Sequence, residues 1–213
     1  MSILFALIKD IFRTESPVKL AGSKLVTYSL ANDTDIHSKS IMLHIGGQEA
    51  KPGWKILNIQ PGENVDYVGD IADLSQFPDG MFHVIYASHV LEHVPQGKIL
   101  STLKEINRIL GENGKLLIAV PDLEILCTLF IQPELDKHDR LHVMSMIYGG
   151  QIDPFDYHFI GFTYEFLLDF LHIANFKSIQ RVANFNIFND TSSYIAFGIP
   201  ISLNLVAHKK TPQ

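Results

Sequence analysis

Five short apolar runs of the sequence end in glycine or in a polar side chain. The end points are Gly46-Gly47, Asn58, Asp70, Ser88-His89 and Pro121-Asp122. Glycine lets a backbone approach a bound molecule and present amide donors, whereas Asn, Asp and Ser side chains hydrogen-bond hydroxyl and amino groups. If the runs are parallel strands, these residues meet beyond the carboxyl edge of one sheet, where such sheets bind ligands. The pattern therefore predicts a small-molecule site.

Ten histidines supply candidates for proton transfer. An imidazole has an ordinary pKa of about 6.5, which suits a general base near neutral pH. His89 follows the fourth run, and His142 and His158 lie in an irregular stretch from Gln132 to Gly161. These three are the catalytic candidates. For any one of them a structural role is the commoner outcome, but the set favours one functional member.

Two histidine pairs have the four-residue spacing that puts both rings on one face of a helix. They are His89 with His93, and His138 with His142. Neither pair reads His-Glu-x-x-His, because Val90 and Asp139 occupy the position of the general base, so a zinc protease is excluded. A metal ion with His158 as a third ligand is an alternative. We favour coincidence in a histidine-rich chain and predict no metal site.

The segment Tyr148–Phe159 combines two glycines, two tyrosines and several polar side chains. Its substrate-binding candidates are Tyr148, Gln151, Asp153, Asp156 and Tyr157. A long irregular stretch in a domain of this size is more often functional than idle. The segment is predicted to contact a polar substrate or to close over the cleft as a lid, and one segment can do both.

The apolar runs also predict the elements that position these residues. Strands are expected at 41–45, 55–59, 65–68, 84–87 and 115–120. Between the last two, apolar residues recur at three- and four-residue steps from Ile99 to Leu110, and Gly111 and Gly114 stop the pattern. This strand–helix–strand unit implies a parallel sheet. The first three strands lie too close in sequence for full helical crossovers, so only single turns or open loops can join them.

The rest of the chain predicts further elements and the domain plan. A helix capped by Asp122 and a helix that begins at Thr163 and ends near Asn175 are expected, followed by strands at 178–182 and 201–207 that pair antiparallel at the sheet edge. An amphipathic helix is expected within residues 1–13, with membrane-surface docking disfavoured because its polar face has few cations. We predict one domain, 1–213, divided into a lead-in at 1–39, a core at 40–126, a lid or substrate segment at 132–161 and a C-terminal part at 162–208.

Composition and charge exclude several classes of function. The 213 residues are 46% hydrophobic, enough for the core of one domain. The net charge of −6 leaves no basic face for a nucleic acid. A single cysteine, Cys127, rules out multi-thiolate zinc sites and favours a reducing, cytoplasmic setting.

No apolar run is long enough to span a bilayer, and no signal peptide is recognised at the start. The oligomeric state stays open.

Two nucleotide-binding motifs are missing. The sequence has no Gly-x-x-x-x-Gly-Lys-Ser/Thr loop, and Gly46-Gly47-Gln48 offers no third glycine for the dinucleotide fingerprint. A nicotinamide-dependent oxidoreductase is therefore disfavoured.

Taken in order, five segments resemble the class I S-adenosylmethionine-dependent methyltransferases, and most closely their small type 11-like branch. The segments are Leu43–Gly47, Pro52–Ile59, Val68–Leu74, Phe82–His93 and Leu103–Asp122. The resemblance covers about residues 40–126, and its most specific part ends in Leu91-Glu92-His93. It implies an α/β fold with a Rossmann-like, mostly parallel sheet, helices on both faces, a shortened first half and an antiparallel C-terminal strand pair. It also implies S-adenosylmethionine as the cofactor.

The resemblance implies roles for individual positions. His44 to Gly47 would bend around the methionine part of the cofactor, with the amides of both glycines facing it. Asn58 stands where the family usually has an acidic residue on the ribose hydroxyls, and Asp70 matches the acceptor for the adenine amino group. The implied cofactor-binding set is His44, Gly46, Gly47, Asn58, Ile59, Asp70, Ile71, Ser88 and His89, the last two forming the floor under the sulfonium.

These observations predict an S-adenosylmethionine-dependent methyltransferase that modifies an oxygen or nitrogen of a small polar molecule, with a sugar derivative as the candidate acceptor. The alternative is a catalytically inactive binding or scaffold protein that keeps the fold. Asn58 in place of an acidic residue, and Gln48 where many relatives have glycine, favour that alternative.

Overall fold

The computed structural model of the chain describes residues 25–30 and 40–209, so the amphipathic helix expected within 1–13 lies outside the described residues. The strands are β1 (Met42–Ile45), β2 (Trp54–Asn58), β3 (Tyr67–Val68), β4 (Phe82–Ser88), β5 (Leu110–Pro121), β6 (Phe176–Val182), β7 (Ile195–Ala196), β8 (Ile199–Pro200) and β9 (Ser202–Lys209). The α-helices are α1 (Ile99–Ile109), α2 (Leu123–Phe130), α3 (Lys137–Tyr148) and α4 (Tyr164–Ile173). Short 3₁₀ turns occupy Leu91–His93, Gln96–Lys98 and Thr191–Ser193.

Seven strands form one sheet in the order β3-β2-β1-β4-β5-β9-β6. The first five strands along the chain pair in parallel, whereas β9 runs antiparallel to both β5 and β6. The predicted parallel sheet with an antiparallel C-terminal pair is confirmed. The strand order reverses at β1 and β4, which places the crevice expected of such sheets beyond their carboxyl ends.

The connections in the first half of the sheet are as short as the sequence requires. No α-helix lies between β1 and β2 or between β2 and β3, and the chain crosses there in turns that include Gly53 at a φ of 83°. Helical crossovers begin after β4, where α1 buries the face with Ile99, Leu103 and Ile106. The carboxyl edge of the first three strands therefore stays open.

The two faces of the sheet are covered differently. On one face, α1 and α4 pack on Leu43, Ile85 and Leu116 in the larger apolar core. On the other face, Trp54, Tyr86 and His44 meet aromatic residues from the segment between β6 and β9. Among the described helices, none is long and apolar enough to cross a bilayer.

The prediction of an irregular stretch from Gln132 to Gly161 is wrong, because residues Lys137–Tyr148 form α3. The helix has no apolar stripe, because Val143 is its one buried residue, so hydrophobic periodicity gives no signal. Its sequence signal is the capping box, in which the Asp136 carboxylate accepts from the backbone amide of Asp139 at 2.9 Å and the Asp139 carboxylate accepts from that of Asp136 at 3.3 Å.

His44 makes the stability of this sheet pH-dependent. Burial lowers the pKa of its imidazole from 6.5 to about 4, with Asp190 and Glu49 opposing the shift. The neutral form is favoured in the folded state, so stability present above pH 6.5 is lost as the pH falls from 6.5 towards 4. A shift of this size corresponds to about 3 kcal/mol at full effect. We expect the unfolding free energy of His44→Phe to fall less steeply than that of the wild type as the pH is lowered from 6.5 towards 4. Urea unfolding at several pH values measures this slope.

The matched control for this prediction is Phe188→Leu, since the Phe188 ring lies 4.0 Å from the imidazole, centroid to centroid. This variant loses packing but keeps the histidine, so it is expected to be less stable at every pH with a slope close to that of the wild type. A slope unchanged in His44→Phe would contradict the assignment.

Candidate functional site

A cleft of about 840 Å³ opens beyond the carboxyl ends of β1, β2, β3 and β4. This volume is within the range of about 300–1,000 Å³ that is usual for small-molecule sites. From the predicted site residues the cleft brings together Gly46, Asn58, Ile59, Asp70, Ile71, His89, Asp153 and Asp156. Residues from the two ends of the predicted site, more than 100 positions apart in the chain, therefore share one cavity.

Gly46 forms the turn after β1 at the base of the cleft. Its φ of 78° is in the left-handed region, and a Cβ atom added there would lie 2.2 Å from Cγ1 of Val90. The amide of Gly46 does not face the cleft as a free donor, because it donates to the carbonyl of Leu57 at 2.8 Å and extends the β1–β2 ladder by one residue. Gly46 therefore serves the site through the absence of a side chain.

Asn58 ties the two loops at the ends of β1 and β2 together. Its Nδ2 donates to the carbonyl of Gly47 at 3.0 Å, and its Oδ1 accepts from the amide of Gln60 at 3.0 Å. A carboxamide has two N–H donors and two acceptor lone pairs, so one of each is left for a ligand. A carboxylate at this position could not donate to Gly47, which gives the amide a structural reason.

Asp70 lies at the end of β3, with Ile71 directly after it. The Asp70 Oδ1 atom accepts from the amide of Ala72 at 2.8 Å, which fixes the carboxylate at the cleft. Ile71 is buried, whereas Ile59 across the cleft is 40% exposed. This corner offers a carboxylate acceptor between two apolar side chains.

His89 is held in a strained backbone conformation at the end of β4. Its φ is 52°, a region that costs a non-glycine residue about 1–3 kcal/mol. The Ser202 hydroxyl donates to the carbonyl of Thr191 at 2.8 Å, so His89 Nε2 must donate to Ser202 Oγ, also at 2.8 Å. The other nitrogen, Nδ1, faces Glu92 Oε1 at 3.3 Å. Because both ring nitrogens face protein atoms, His89 acts as a rigid wall of the cleft.

Glu92 is a buried carboxylate among histidines, with 1% of its surface exposed. Burial raises the pKa of its carboxyl, but His89, His93 and His158 outweigh that effect and the net shift is downward. Burial lowers the pKa of His158, with Glu92 opposing the shift. The cluster thus combines a carboxyl whose pKa is lowered with the ring of His158, whose pKa burial lowers.

The segment Tyr148–Phe159 closes one side of the cleft. Gly149 has a φ of 82°, and the segment is held by hydrogen bonds from the His158 amide to the Tyr148 carbonyl at 3.1 Å and from the Phe159 amide to the Glu92 carbonyl at 2.8 Å. Asp153 and Asp156 line the cavity, and each also accepts from a backbone amide of the segment.

The remaining predicted site residues lie outside the cavity lining. They are His44, Gly47, Ser88, His142, His158, Tyr148, Gln151 and Tyr157. The His44 ring packs against Trp54, Tyr86 and Phe188 on the far face of the sheet. His142 is exposed on α3, 3.3 Å from the hydroxyl of Tyr194. His158 sits behind the cavity wall, with Nδ1 at 3.2 Å from the carbonyl of Ile147.

Comparisons with known proteins agree with this geometry. Residues 35–118 match a family model described as a methyltransferase domain. The solved structure of a SAM-dependent methyltransferase from Archaeoglobus fulgidus is 14% identical to this chain, and the alignment covers 80% of this chain and 86% of that protein with a TM-score of 0.51. A SAM-dependent methyltransferase from Methanosarcina mazei is 17% identical, and the alignment covers 82% of this chain and 94% of that protein with a TM-score of 0.50. Residues 35–118 are thus similar to a methyltransferase domain, and the chain shares the fold of these SAM-dependent methyltransferases. None of the curated protein sequences compared with it matches.

Several residues of the cleft were not predicted from the sequence. They are Gln48, Gln60, Val90, His93, Pro95, Phe155 and Phe159. The four-residue spacing of His89 and His93 was visible, but it did not predict that both rings line one cavity. Phe155 and Phe159 belong to the segment that was singled out, although only its polar and tyrosine residues were chosen as candidates.

Proposed function

We propose that this protein is an S-adenosylmethionine-dependent methyltransferase whose acceptor is a small polar molecule methylated on oxygen or nitrogen. The observation that carries the proposal is the single cleft that joins the Gly46, Asn58 and Asp70 turns to Asp153 and Asp156. A related structure, the trans-methyltransferase CalH with SAH, is 17% identical, with 80% of this chain and 51% of that chain covered and a TM-score of 0.50.

The residues present fit the cofactor. Gly46 leaves the turn at the base of the cleft without a side chain, and a Cβ atom there would displace Val90, which also lines the cleft. The Asn58 carboxamide retains one donor and one acceptor for ribose hydroxyls. The Asp70 carboxylate can accept from the adenine amino group, with Ile59 and Ile71 against the ring faces. When bound, the cofactor supplies an activated methyl group, and the protein aligns the acceptor with it and excludes water.

The acceptor side of the cleft is assigned to His93, Asp153, Phe155 and Asp156. Two carboxylates and a half-exposed aromatic ring suit an uncharged molecule with several hydroxyl groups, such as a sugar derivative, better than an anion. Asp153 and Asp156 are both held by backbone amides of their own segment, which keeps them in place before a substrate arrives.

Asp70→Ala tests the assignment of the adenine end. Removing a charged hydrogen-bond acceptor costs about 1.5–3 kcal/mol, so kcat/KM for the methyl donor should fall about 10- to 150-fold. The assay follows formation of S-adenosylhomocysteine from S-adenosylmethionine with pooled small polar metabolites as acceptors.

Asp73→Ala is the matched control for that test. Asp73 makes the same local turn, because its Oδ1 accepts from the amide of Ser75 at 3.1 Å, but it lies outside the cavity lining. Its activity should stay within about twofold of the wild type. Equal loss in both variants, or no loss in Asp70→Ala, would contradict the assignment.

A non-catalytic scaffold is the second candidate, and Asn58 favours it. One of its two donors and one of its two acceptor sites are taken by the Gly47 carbonyl and the Gln60 amide, and it lacks the charge that strengthens bonds to ribose hydroxyls. A protein that binds S-adenosylhomocysteine but turns over none of the acceptor pools would support this reading over catalysis.

A further inference from the structure

Three side chains with metal-ligating atoms converge behind the wall of the cleft. One candidate ligand atom from each of Glu92, His93 and His158 lies within 4.8 Å of the others. Glu92 is buried, and both histidines are partly buried. His93 also lines the cleft, so the cluster can be reached from the cavity.

Hydrogen bonds fix which nitrogen of each ring is available. His93 Nδ1 lies 3.2 Å from the carbonyl of Tyr157, and His158 Nδ1 lies 3.2 Å from the carbonyl of Ile147. A carbonyl only accepts, so both Nδ1 atoms must carry the proton, and in the neutral rings both Nε2 atoms keep a lone pair. Histidine ligands of metals typically donate one N–H to a carbonyl in this way, which fixes the tautomer and the ring orientation.

The carboxylate of Glu92 lacks what a buried carboxylate requires. Neither of its oxygens accepts a hydrogen bond from any described residue, and the 3.3 Å approach of His89 Nδ1 does not have hydrogen-bond geometry. A buried charge without hydrogen bonds is costly, and a bound cation is one of the arrangements that offsets the cost. The cluster therefore combines an unpartnered anion with two nitrogen lone pairs.

We propose that Glu92, His93 and His158 bind a divalent first-row transition metal ion, with zinc as the reference case. Two imidazoles and one carboxylate suit zinc or iron(II) better than magnesium or calcium, which prefer oxygen ligands. Ligands about 2.0–2.2 Å from one tetrahedral zinc ion lie about 3.3–3.6 Å apart. A largest separation of 4.8 Å thus requires the ligand atoms to approach by roughly 1.2–1.5 Å.

The ion would join two parts of the chain that already contact each other through one backbone hydrogen bond and through the His93 ring. Glu92 and His93 belong to the 3₁₀ turn Leu91–His93 after β4, whereas His158 belongs to the segment Tyr148–Phe159. The amide of Phe159 already donates to the carbonyl of Glu92 at 2.8 Å. A metal bond across this junction would hold the segment against the cleft.

The test measures metal binding alone, without cofactor or acceptor, so its result does not depend on methyl transfer. The full chain is stripped with a chelator and titrated with Zn²⁺ and with Co²⁺, whose visible absorption reports ligand type and coordination number. We expect one ion per chain, a zinc-dependent rise in the melting temperature and a cobalt spectrum typical of mixed nitrogen and oxygen ligands.

Two variants and one control decide the outcome. Glu92→Gln and His158→Gln should each weaken Zn²⁺ binding by more than about 100-fold, beyond the 10- to 100-fold typical of losing an outer-shell partner. The double variant His138→Gln/His142→Gln removes the other four-spaced pair, on exposed α3, and should bind like the wild type. Circular dichroism shows whether each variant is folded. Two ligand variants are used so that the test still stands if one of them misfolds. Zinc binding that is absent in the wild type, or equal in Glu92→Gln, would overturn the proposal.

Discussion

Replacement of Gly46 by alanine is expected to weaken binding of S-adenosylhomocysteine by about 100-fold or more. The new Cβ atom would sit 2.2 Å from Val90 Cγ1 at a φ of 78°. Left-handed backbone costs a residue with a side chain about 1–2 kcal/mol, and overpacking adds about 1–3 kcal/mol. The turn is expected to move away from its present position to relieve this strain, which changes the base of the cleft. A 100-fold loss of affinity corresponds to about 2.7 kcal/mol. Titration calorimetry measures the change.

Two further variants separate steric effects from general loss of stability. Gly97→Ala adds the same methyl group where no atom lies within 4 Å, and should bind as the wild type does. Gly46→Ala/Val90→Ala removes the collision but keeps the backbone strain, so affinity should return only in part. Binding by Gly46→Ala within about threefold of the wild type, less than 0.7 kcal/mol, would refute the role of this turn.

Replacement of Arg181 by methionine is expected to destabilise the fold by about 3–5 kcal/mol, the usual result of leaving a buried charge without its partner. The Arg181 guanidinium donates to Asp122 Oδ2 at 2.8 Å, and the Asp122 side chain is 2% exposed. Burial raises the pKa of the Asp122 carboxyl even with Arg181 present. In the variant, protonation relieves the isolated charge, so the deficit in unfolding free energy should shrink as the pH is lowered from 7 towards 4.

The same buried pair offers its own controls. Arg181→Met/Asp122→Asn removes both charges, and asparagine keeps the N-cap of α2, where Asp122 now accepts from the Ile125 amide. This double variant should recover most of the lost stability in urea unfolding. Lys55→Met breaks the exposed pair with Asp66 and should change stability little. A deficit in Arg181→Met that is equally large at every pH would contradict a charge-based cause.

Asp122 illustrates how far the strand-end rule carries. The rule selected it together with Gly46, Asn58, Asp70 and His89 as a residue at the carboxyl edge of the sheet. Those four line the cleft, but the Asp122 carboxylate turns away to cap α2 and to pair with Arg181 on β6. Local sequence places a residue at a strand end, whereas the direction of its side chain depends on a partner 59 positions away.

Side-chain alternation explains the position of His44. Leu43 and Ile45 point into the core under α1 and α4, so the residue between them must point to the opposite face. There it lies beside Tyr86, its register partner on β4. The alternation of Leu43, His44 and Ile45 thus predicts the orientation of this ring, whereas the resemblance implies a place for His44 in the cofactor loop.

The sequence suggests His158 as a third metal ligand beside a four-spaced histidine pair, but it does not show which pair His158 meets or that Glu92 joins the cluster. His93 and His158 are separated by 65 positions, and their rings meet with centroids 4.8 Å apart only after the segment Tyr148–Phe159 folds back on the turn after β4. The intervening α3 also lacks the apolar periodicity that would have placed it. Sequence patterns predict the strands and their ends in this protein. The position of the segment Tyr148–Phe159 depends instead on its contacts with the turn after β4, which are distant in sequence.

Calorimetric titration of the full chain with S-adenosylhomocysteine tests the central claim most directly. We expect saturable heat with one ligand molecule per chain, and competition by S-adenosylmethionine for the same site. Asp73→Ala should reproduce the wild-type curve, and Asp70→Ala should bind more weakly. Absence of heat at high ligand concentration, with the protein folded by circular dichroism, would contradict the assignment of the cleft as the cofactor site.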